Sequence, residues 1–237
     1  MIIGITGSSG SGKSTVCEIL QKKYGVLVIN ADKIARQLSK KGTYYLADII
    51  EQFGTDILLE NGELNRKKLA EIIYTNPEKR ELLNRCTFKH IREEIELEIR
   101  KVETIWKEKR NVKTNSIETV KNMEKISEYE DVSDVVKNAT YISEPIIAID
   151  APLLFEAKLE SLCQFVIAVV SDNRELQVQR IIQRDGITKE QAVARLNAQK
   201  LNEFYTIRSK YVIVNNGELK KVERQIEKIL KNEKSGM

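Results

Sequence analysis

The residues Gly7-Ser-Ser-Gly-Ser-Gly-Lys-Ser14 fit the pattern G-x-x-x-x-G-K-[ST]. These types at this spacing make an anion cradle. Glycines let the backbone curl until successive N–H groups converge on one point. A helix opening near Lys13 adds the positive end of its dipole. In such a loop Gly7, Gly10, Ser11 and Gly12 shape the cradle, and Lys13 reaches the β- and γ-phosphates of a nucleotide. Ser14 offers its hydroxyl to Mg²⁺, with Thr15 beside it. The competing reading is a chance glycine-rich turn. Against it stands the context: a strand-like run before the loop and an amphipathic pattern after it. ATP and Mg²⁺ are the expected donor and cation.

Two acidic residues extend this chemistry. Asp32 follows the second strand-like run, where a parallel sheet places its ligands, so it is positioned to take a proton from an attacking hydroxyl. Alternatively it caps a helix beginning at Lys33. Asp150 ends the third run and either holds Mg²⁺ through water or caps a turn before Pro152. Three basic residues also have two readings each. Arg36 holds a substrate phosphate or lies on a helix surface. Arg180 and Arg184 fall four apart, on one helical face. They neutralise charge on a transferring phosphoryl group or form an exposed basic face.

These residues need a frame, and the apolar pattern supplies one. Five short runs are apolar nearly throughout: Ile2–Thr6, Val26–Asn30, Ile146–Asp150, Phe165–Val170 and Tyr211–Asn215. Strands buried on both faces of a parallel sheet read this way. Helical patterns fill the gaps, as in Val16, Ile19, Leu20 and Tyr24, or Leu219, Val222, Ile226, Ile229 and Leu230. The predicted fold is α/β, a three-layer P-loop architecture with a five-stranded parallel sheet. Residues 1–37 and 145–237 form its core. Residues 38–103 show no buried strand and read as an inserted helical subdomain. Residues 104–144 are a polar insertion, open to short helices or to mobility.

Composition narrows the class. The chain has 237 residues, 41% of them hydrophobic and 31% charged, with a net charge of +4. That small excess is spread along the chain, so neither nucleic acid nor a membrane is an expected partner. The longest apolar run, Phe165–Val170, falls far short of the roughly 20 residues that cross a bilayer. The N-terminus has no basic region before a long apolar one, so no signal peptide is expected. Cys17, Cys86 and Cys163 form no metal-binding spacing and read as buried or unreactive thiols in a reducing compartment, and a cytoplasmic location is expected. Nothing in the pattern speaks to oligomeric state. A GTPase would show Asn-Lys-x-Asp, and the chain has no Asn-Lys pair. Small-molecule kinases therefore lead.

Several segments then resemble one family. Asn30-Ala-Asp-Lys-Ile-Ala-Arg36, Asp150-Ala-Pro-Leu-Leu-Phe-Glu156, Gln179–Asp185 with Arg195-Leu-Asn-Ala-Gln199, and Val212–Gly217 are similar to motifs of the dephospho-coenzyme A kinases. Asn61–Arg66 and Ala70–Pro77 fit that family's helical subdomain, so the resemblance implies that residues 38–103 take the acceptor substrate and that a small helical lid covers about 180–200. The resemblance implies ATP-dependent phosphorylation of the ribose 3′-hydroxyl of dephospho-CoA. It implies Asp32 as catalytic base, with Asp32 and Arg36 at the substrate, Arg180 and Arg184 in a lid, and Asn215 and Gly217 beside the adenine. A nucleoside or sugar kinase, or a non-catalytic nucleotide switch, are the alternatives. The sequence departs from the family at Asn30, where Asp is usual. Phe88-Lys89 stands in place of a His-Pro pair, leaving His90 displaced and read as surface or packing. The insertion at 104–144 is the third departure.

Overall fold

The computed structural model describes residues 1–112 and 144–235. The polar stretch 104–144 therefore enters only through its ends, and the rest of it lies outside the described residues. The apolar runs become five strands: β1 (Ile2–Thr6), β2 (Leu27–Asn30), β3 (Ile147–Asp150), β4 (Phe165–Val170) and β5 (Tyr211–Val214). Their order in the sheet is β2-β3-β1-β4-β5. β1 lies parallel to both β3 and β4, with Ile5 opposite Asp150 on one side and Ile167 on the other. β4 in turn pairs in parallel with β5. All residues of β3 and β4 are buried, which is why they read as unbroken apolar runs rather than alternating ones.

This order fixes where chemistry can occur. The chain leaves β1 for β2 and β3 on one side, then crosses to β4 and β5 on the other. The loop after β1 therefore opens at the reversal point, beyond the carboxyl ends of the strands, where open parallel sheets place their ligands.

The helices are α1 (Lys13–Tyr24), α2 (Ala31–Leu38), α3 (Tyr44–Phe53), α4 (Arg66–Thr75), α5 (Pro77–Val112), α6 (Arg174–Asp185), α7 (Lys189–Asn197), α8 (Asn202–Thr206) and α9 (Leu219–Ser235). Their ends follow local chemistry. α1 stops at Gly25, whose left-handed backbone (φ 64°) returns its N–H to Leu20 and Gln21. Thr43, Asn65 and Asn76 cap α3, α4 and α5 by accepting from Leu46, Lys68 and Lys79 N–H groups. Pro77 opens α5, where a missing N–H is harmless. α7 begins with a capping box between Thr188 and Gln191.

The chain divides into two compact units, Met1–Ile29 with Val102–Met237, and Asn30–Lys101. In the first, Val16, Ile19 and Leu20 of α1 and Val222, Ile226, Ile229 and Leu230 of α9 join Ile3, Ile5 and Ile167 of the sheet in one core. α6 and α7 pack on each other through Val178, Ile181, Ala192 and Leu196. In the second unit Tyr45, Leu46, Ile49, Ile57, Leu64 and Leu69 form a separate helical core. Each unit thus buries its own apolar surface, the main favourable term in its folding.

Candidate active site

The loop between β1 and α1 is built on positive-φ glycines. Gly7 has φ 139° and Gly12 has φ 94°. A Cβ at Gly7 would lie 2.0 Å from the Val169 carbonyl oxygen, and one at Gly12 would lie 1.9 Å from Asn215 Nδ2. Neither position admits a side chain, on conformational and steric grounds alike. Gly12 also occupies the cap position of α1 and supplies no side-chain acceptor. The first N–H groups of a helix have no partner within it, so the start of α1 presents donors and the positive dipole end. Lys13 folds its ammonium back onto the loop, donating to the carbonyls of Gly7 (2.7 Å) and Ser8 (3.1 Å). Ser14 is exposed at the helix start, and Ser11 is wholly buried with no hydrogen-bond partner for Oγ among the described residues.

The α6–α7 segment supports the outer wall of this loop. Arg180 donates to the carbonyl of Gly10 (2.9 Å), to the carbonyl of Asn215 (3.2 Å) and to Asn215 Oδ1 (3.1 Å). Burial lowers its pKa from the ordinary arginine value. Asn215 Oδ1 also accepts the N–H of Gly217 at 3.3 Å. Arg180 thus joins the phosphate loop to the turn after β5 that carries Asn215 and Gly217. Arg184 behaves differently: its guanidinium makes a bidentate pair with Asp185, both contacts at 2.8 Å, and Arg195 joins the same carboxylate. Arg180 and Arg184 share a helix but engage different partners.

Two glutamines missing from the predicted site also hold the loop. Gln177 donates to Ser8 Oγ (3.0 Å) and the Ser9 carbonyl (3.2 Å). Gln199 accepts the Ser9 N–H and donates to Ser9 Oγ, both at 2.8 Å. A polar residue at a buried helix position was the available signal for Gln177, which is 7% exposed. Gln199 showed only as the end of a motif, with no role readable from its spacing.

Asp150 ends β3 beside β1 and is buried, 7% exposed. It lies near Cys17 on the first turns of α1. Burial chiefly pushes the Cys17 thiol up, the Asp150 charge adds to this, and Lys13 opposes it. Cys17 is therefore a packed thiol, as its sequence context suggests. Beyond Asp150 the chain reaches Glu156, where Oε2 is buried with no hydrogen-bond partner among the described residues. Burial raises its pKa, against the opposing charges of Lys200 and Arg208.

In the second unit, α2 begins at Ala31, and Asn30 caps it by accepting the Lys33 N–H at 2.8 Å. The capping role considered for Asp32 is thus filled by Asn30. Asp32 stands exposed in the first turn, its carboxylate unspent on the cap. Arg36 is exposed on the same helix, and its carbonyl accepts from Arg66 Nη2 at 2.9 Å. Burial, then the Arg36 charge, lowers the Arg66 pKa. Two guanidiniums are thus neighbours here, and only Arg36 belonged to the predicted site. Tyr45 lies beneath, its hydroxyl pushed up to about 12 chiefly by burial and partly offset by Arg66. His90 packs edge-on against Tyr45, with ring centroids 6.0 Å apart, and pairs with Asp48 at 2.8 Å. Lys89 meets the same carboxylate at 2.8 Å. His90 has the packing role expected of it.

A parallel sheet in this order, with a glycine-rich phosphate loop after its central strand and helices around it, defines a P-loop kinase fold. The sequence profile described as dephospho-CoA kinase matches residues 1–109 and 118–221. The chain belongs to the dephospho-CoA kinase family. A rice (Oryza sativa subsp. japonica) protein of that name is 34% identical over 231 residues, covering 98% of this chain and 84% of the relative. Another, from Listeria innocua serovar 6a, is 35% identical over 224 residues, covering 94% and 92%. The solved structure of the Campylobacter jejuni dephospho-CoA kinase matches with a TM-score of 0.59 at 25% identity, over 100% of this chain and 98% of that one. No described helix is long and apolar enough to cross a membrane.

Glu156 gives a testable pH dependence. Its raised pKa means the folded chain binds this proton more tightly than the unfolded chain. The resulting stabilisation is full below the ordinary glutamate value and is lost as pH rises through the folded pKa. Glu156→Gln should therefore raise Tm at pH 7–8, with the gain shrinking as pH falls toward about 4.3. Matched thermal melts across that range check it. An unchanged or lowered Tm at neutral pH would show that the carboxylate is satisfied in solution.

Proposed function

We propose that this chain transfers the γ-phosphoryl group of ATP to the ribose 3′-hydroxyl of dephospho-CoA in the cytoplasm, giving CoA and ADP. Family membership motivates the acceptor. The observation that carries the phosphoryl chemistry is the loop geometry: an α1 start with no side-chain cap, reached by glycines that tolerate no side chain.

When bound, ATP would supply the phosphoryl group and Mg²⁺ would supply neutralisation of its phosphate charge. The donor set fits a hard cation. The Ser14 hydroxyl and the Asp150 carboxylate are oxygen ligands, and Mg²⁺ characteristically completes its shell with phosphates and water. Among the described residues no group of three or more acidic, His or Cys side chains is placed to hold a metal alone. Ser14 and Asp150 would therefore hold it jointly with the nucleotide.

The remaining work belongs to the chain's own groups. Gly10, Ser11, Gly12 and Thr15 shape the N–H cradle, and Lys13 turns from the Gly7 and Ser8 carbonyls toward the phosphates. Arg180 keeps the loop against the adenine-side turn of Asn215 and Gly217. Arg184 counters charge on the transferred group once it exchanges Asp185 for phosphate. Arg36, with Arg66 beside it, holds acceptor phosphate. Asp32 takes the proton from the 3′-hydroxyl as its oxygen bonds to phosphorus. The bond from the γ-phosphorus to the β–γ bridging oxygen breaks, and ADP leaves.

Two measurements test this reading. ADP release by the purified protein should require dephospho-CoA, with adenosine, other nucleosides and hexoses giving only background. Equal turnover with a nucleoside or a sugar would reassign the acceptor. Asp32→Asn should lower kcat by roughly 10²–10⁴, the usual range for loss of a general base. ATP affinity and Tm should stay near wild type, because Asn30 supplies the α2 cap. Unchanged kcat would remove Asp32 from the chemistry.

A further inference from the structure

Every polar group of Ser9 is engaged by a glutamine from the α6–α7 segment. Its carbonyl accepts from Gln177 Nε2 at 3.2 Å, its N–H donates to Gln199 Oε1 at 2.8 Å, and its hydroxyl accepts from Gln199 Nε2 at 2.8 Å. The two ends of one amide therefore grip one residue, 190 positions away in sequence. Gln177 is buried and sits in α6, on the same face as Arg180, which bonds the next residue, Gly10. Gln199 follows the last turn of α7. The loop is thus held from outside at Ser9 and Gly10, while the N–H groups at the start of α1 remain on its inner side.

We propose that Gln199 is a positioning residue for the nucleotide: its amide locks Ser9 so that the loop is already curled when phosphate arrives, and so ties the α6–α7 pair to the loop. Three features support this over a surface contact. Ser9 N–H finds its acceptor in a distant side chain rather than in a neighbouring carbonyl. An amide is the side chain that accepts from an N–H and donates to a hydroxyl at once. The loop's positive-φ glycines have wide conformational freedom when unrestrained, so a curled shape depends on outside contacts. Gln199 touches no reacting atom, so its effect belongs to binding and arrangement. The proposal rests on the reading that this loop binds ATP.

The test compares wild type, Gln199→Ala, Ser9→Ala and the double variant, with ATP and Mg²⁺ as the probe. Two neutral hydrogen bonds are lost in Gln199→Ala, so the ATP Kd and KM should rise about 10-fold. kcat at saturating ATP and the acceptor KM should remain within about 3-fold, the signature of binding shared by ground and transition states. Ser9→Ala, which removes only the hydroxyl contact, should give a smaller rise. Because both changes break one clamp, Ser9→Ala should add nothing in the Gln199→Ala background. A general folding defect would instead lower Tm without that non-additivity. Unchanged ATP affinity in Gln199→Ala, or strictly additive losses, overturns the clamp. Failure of wild type to bind ATP overturns the reading beneath it, and the clamp with it. If Gln199→Ala does not fold, Ser9→Ala alone decides: unchanged ATP affinity there overturns the proposal.

Discussion

A phosphate loop must point several backbone N–H groups at one place while keeping every side chain out of the way. Curling a short loop in this way leaves carbonyls and N–H groups that need other partners. In this protein Lys13 supplies some of these partners, and side chains distant in sequence supply the others. Lys13 folds onto the carbonyls of Gly7 and Ser8. Arg180, Gln177 and Gln199 take up the polar groups of Ser8, Ser9 and Gly10. The backbone of Val169 and the side chain of Asn215 press so close that only glycine fits at Gly7 and Gly12. β1 lies between β3 and β4, and the carboxyl end of β4 brings the Val169 carbonyl against Gly7.

The unit Asn30–Lys101 solves a different problem, presenting charge without burying it. Asn30 takes the cap of α2, so Asp32 keeps an exposed carboxylate in the favourable first turn. Arg36 and Arg66 stand as neighbours of like charge, and the Arg36 charge adds to burial in lowering the Arg66 pKa, an arrangement that an anion would relieve. Beneath them Tyr45, His90, Asp48 and Lys89 form a packed polar cluster. Asn30, where the family pattern has Asp, keeps the capping role, since the two residues cap equally well.

The frame was largely legible in the sequence, for a physical reason. Buried parallel strands must be apolar throughout, and the runs at Ile2–Thr6 and Phe165–Val170 match β1 and β4 residue for residue. Glycine and lysine at fixed spacing marked the loop, since backbone curvature and a reaching charge have few substitutes. Apolar residues at helical spacing over Val16–Tyr24 and Leu219–Leu230 likewise marked α1 and α9. The supports were not legible. Gln177, Gln199 and Arg66 act through contacts far apart in sequence, 190 positions for Gln199, and no local pattern encodes such pairs. Helical spacing put Arg180 and Arg184 on one face, yet spacing carries no information about partners. Asp185 claims one, while Gly10 and Asn215 claim the other.

The central claim is that the inward N–H groups of this loop, together with Lys13, receive the nucleotide's phosphates. Amide resonances followed by NMR during titration with ADP test it most directly. The account predicts that the N–H signals of Gly12, Lys13 and Ser14 move strongly downfield, as charge-assisted hydrogen bonds require. It also predicts that the Ser9 amide, already bonded to Gln199, moves little. Large shifts confined to residues outside the loop, with Gly12–Ser14 unmoved, would contradict it.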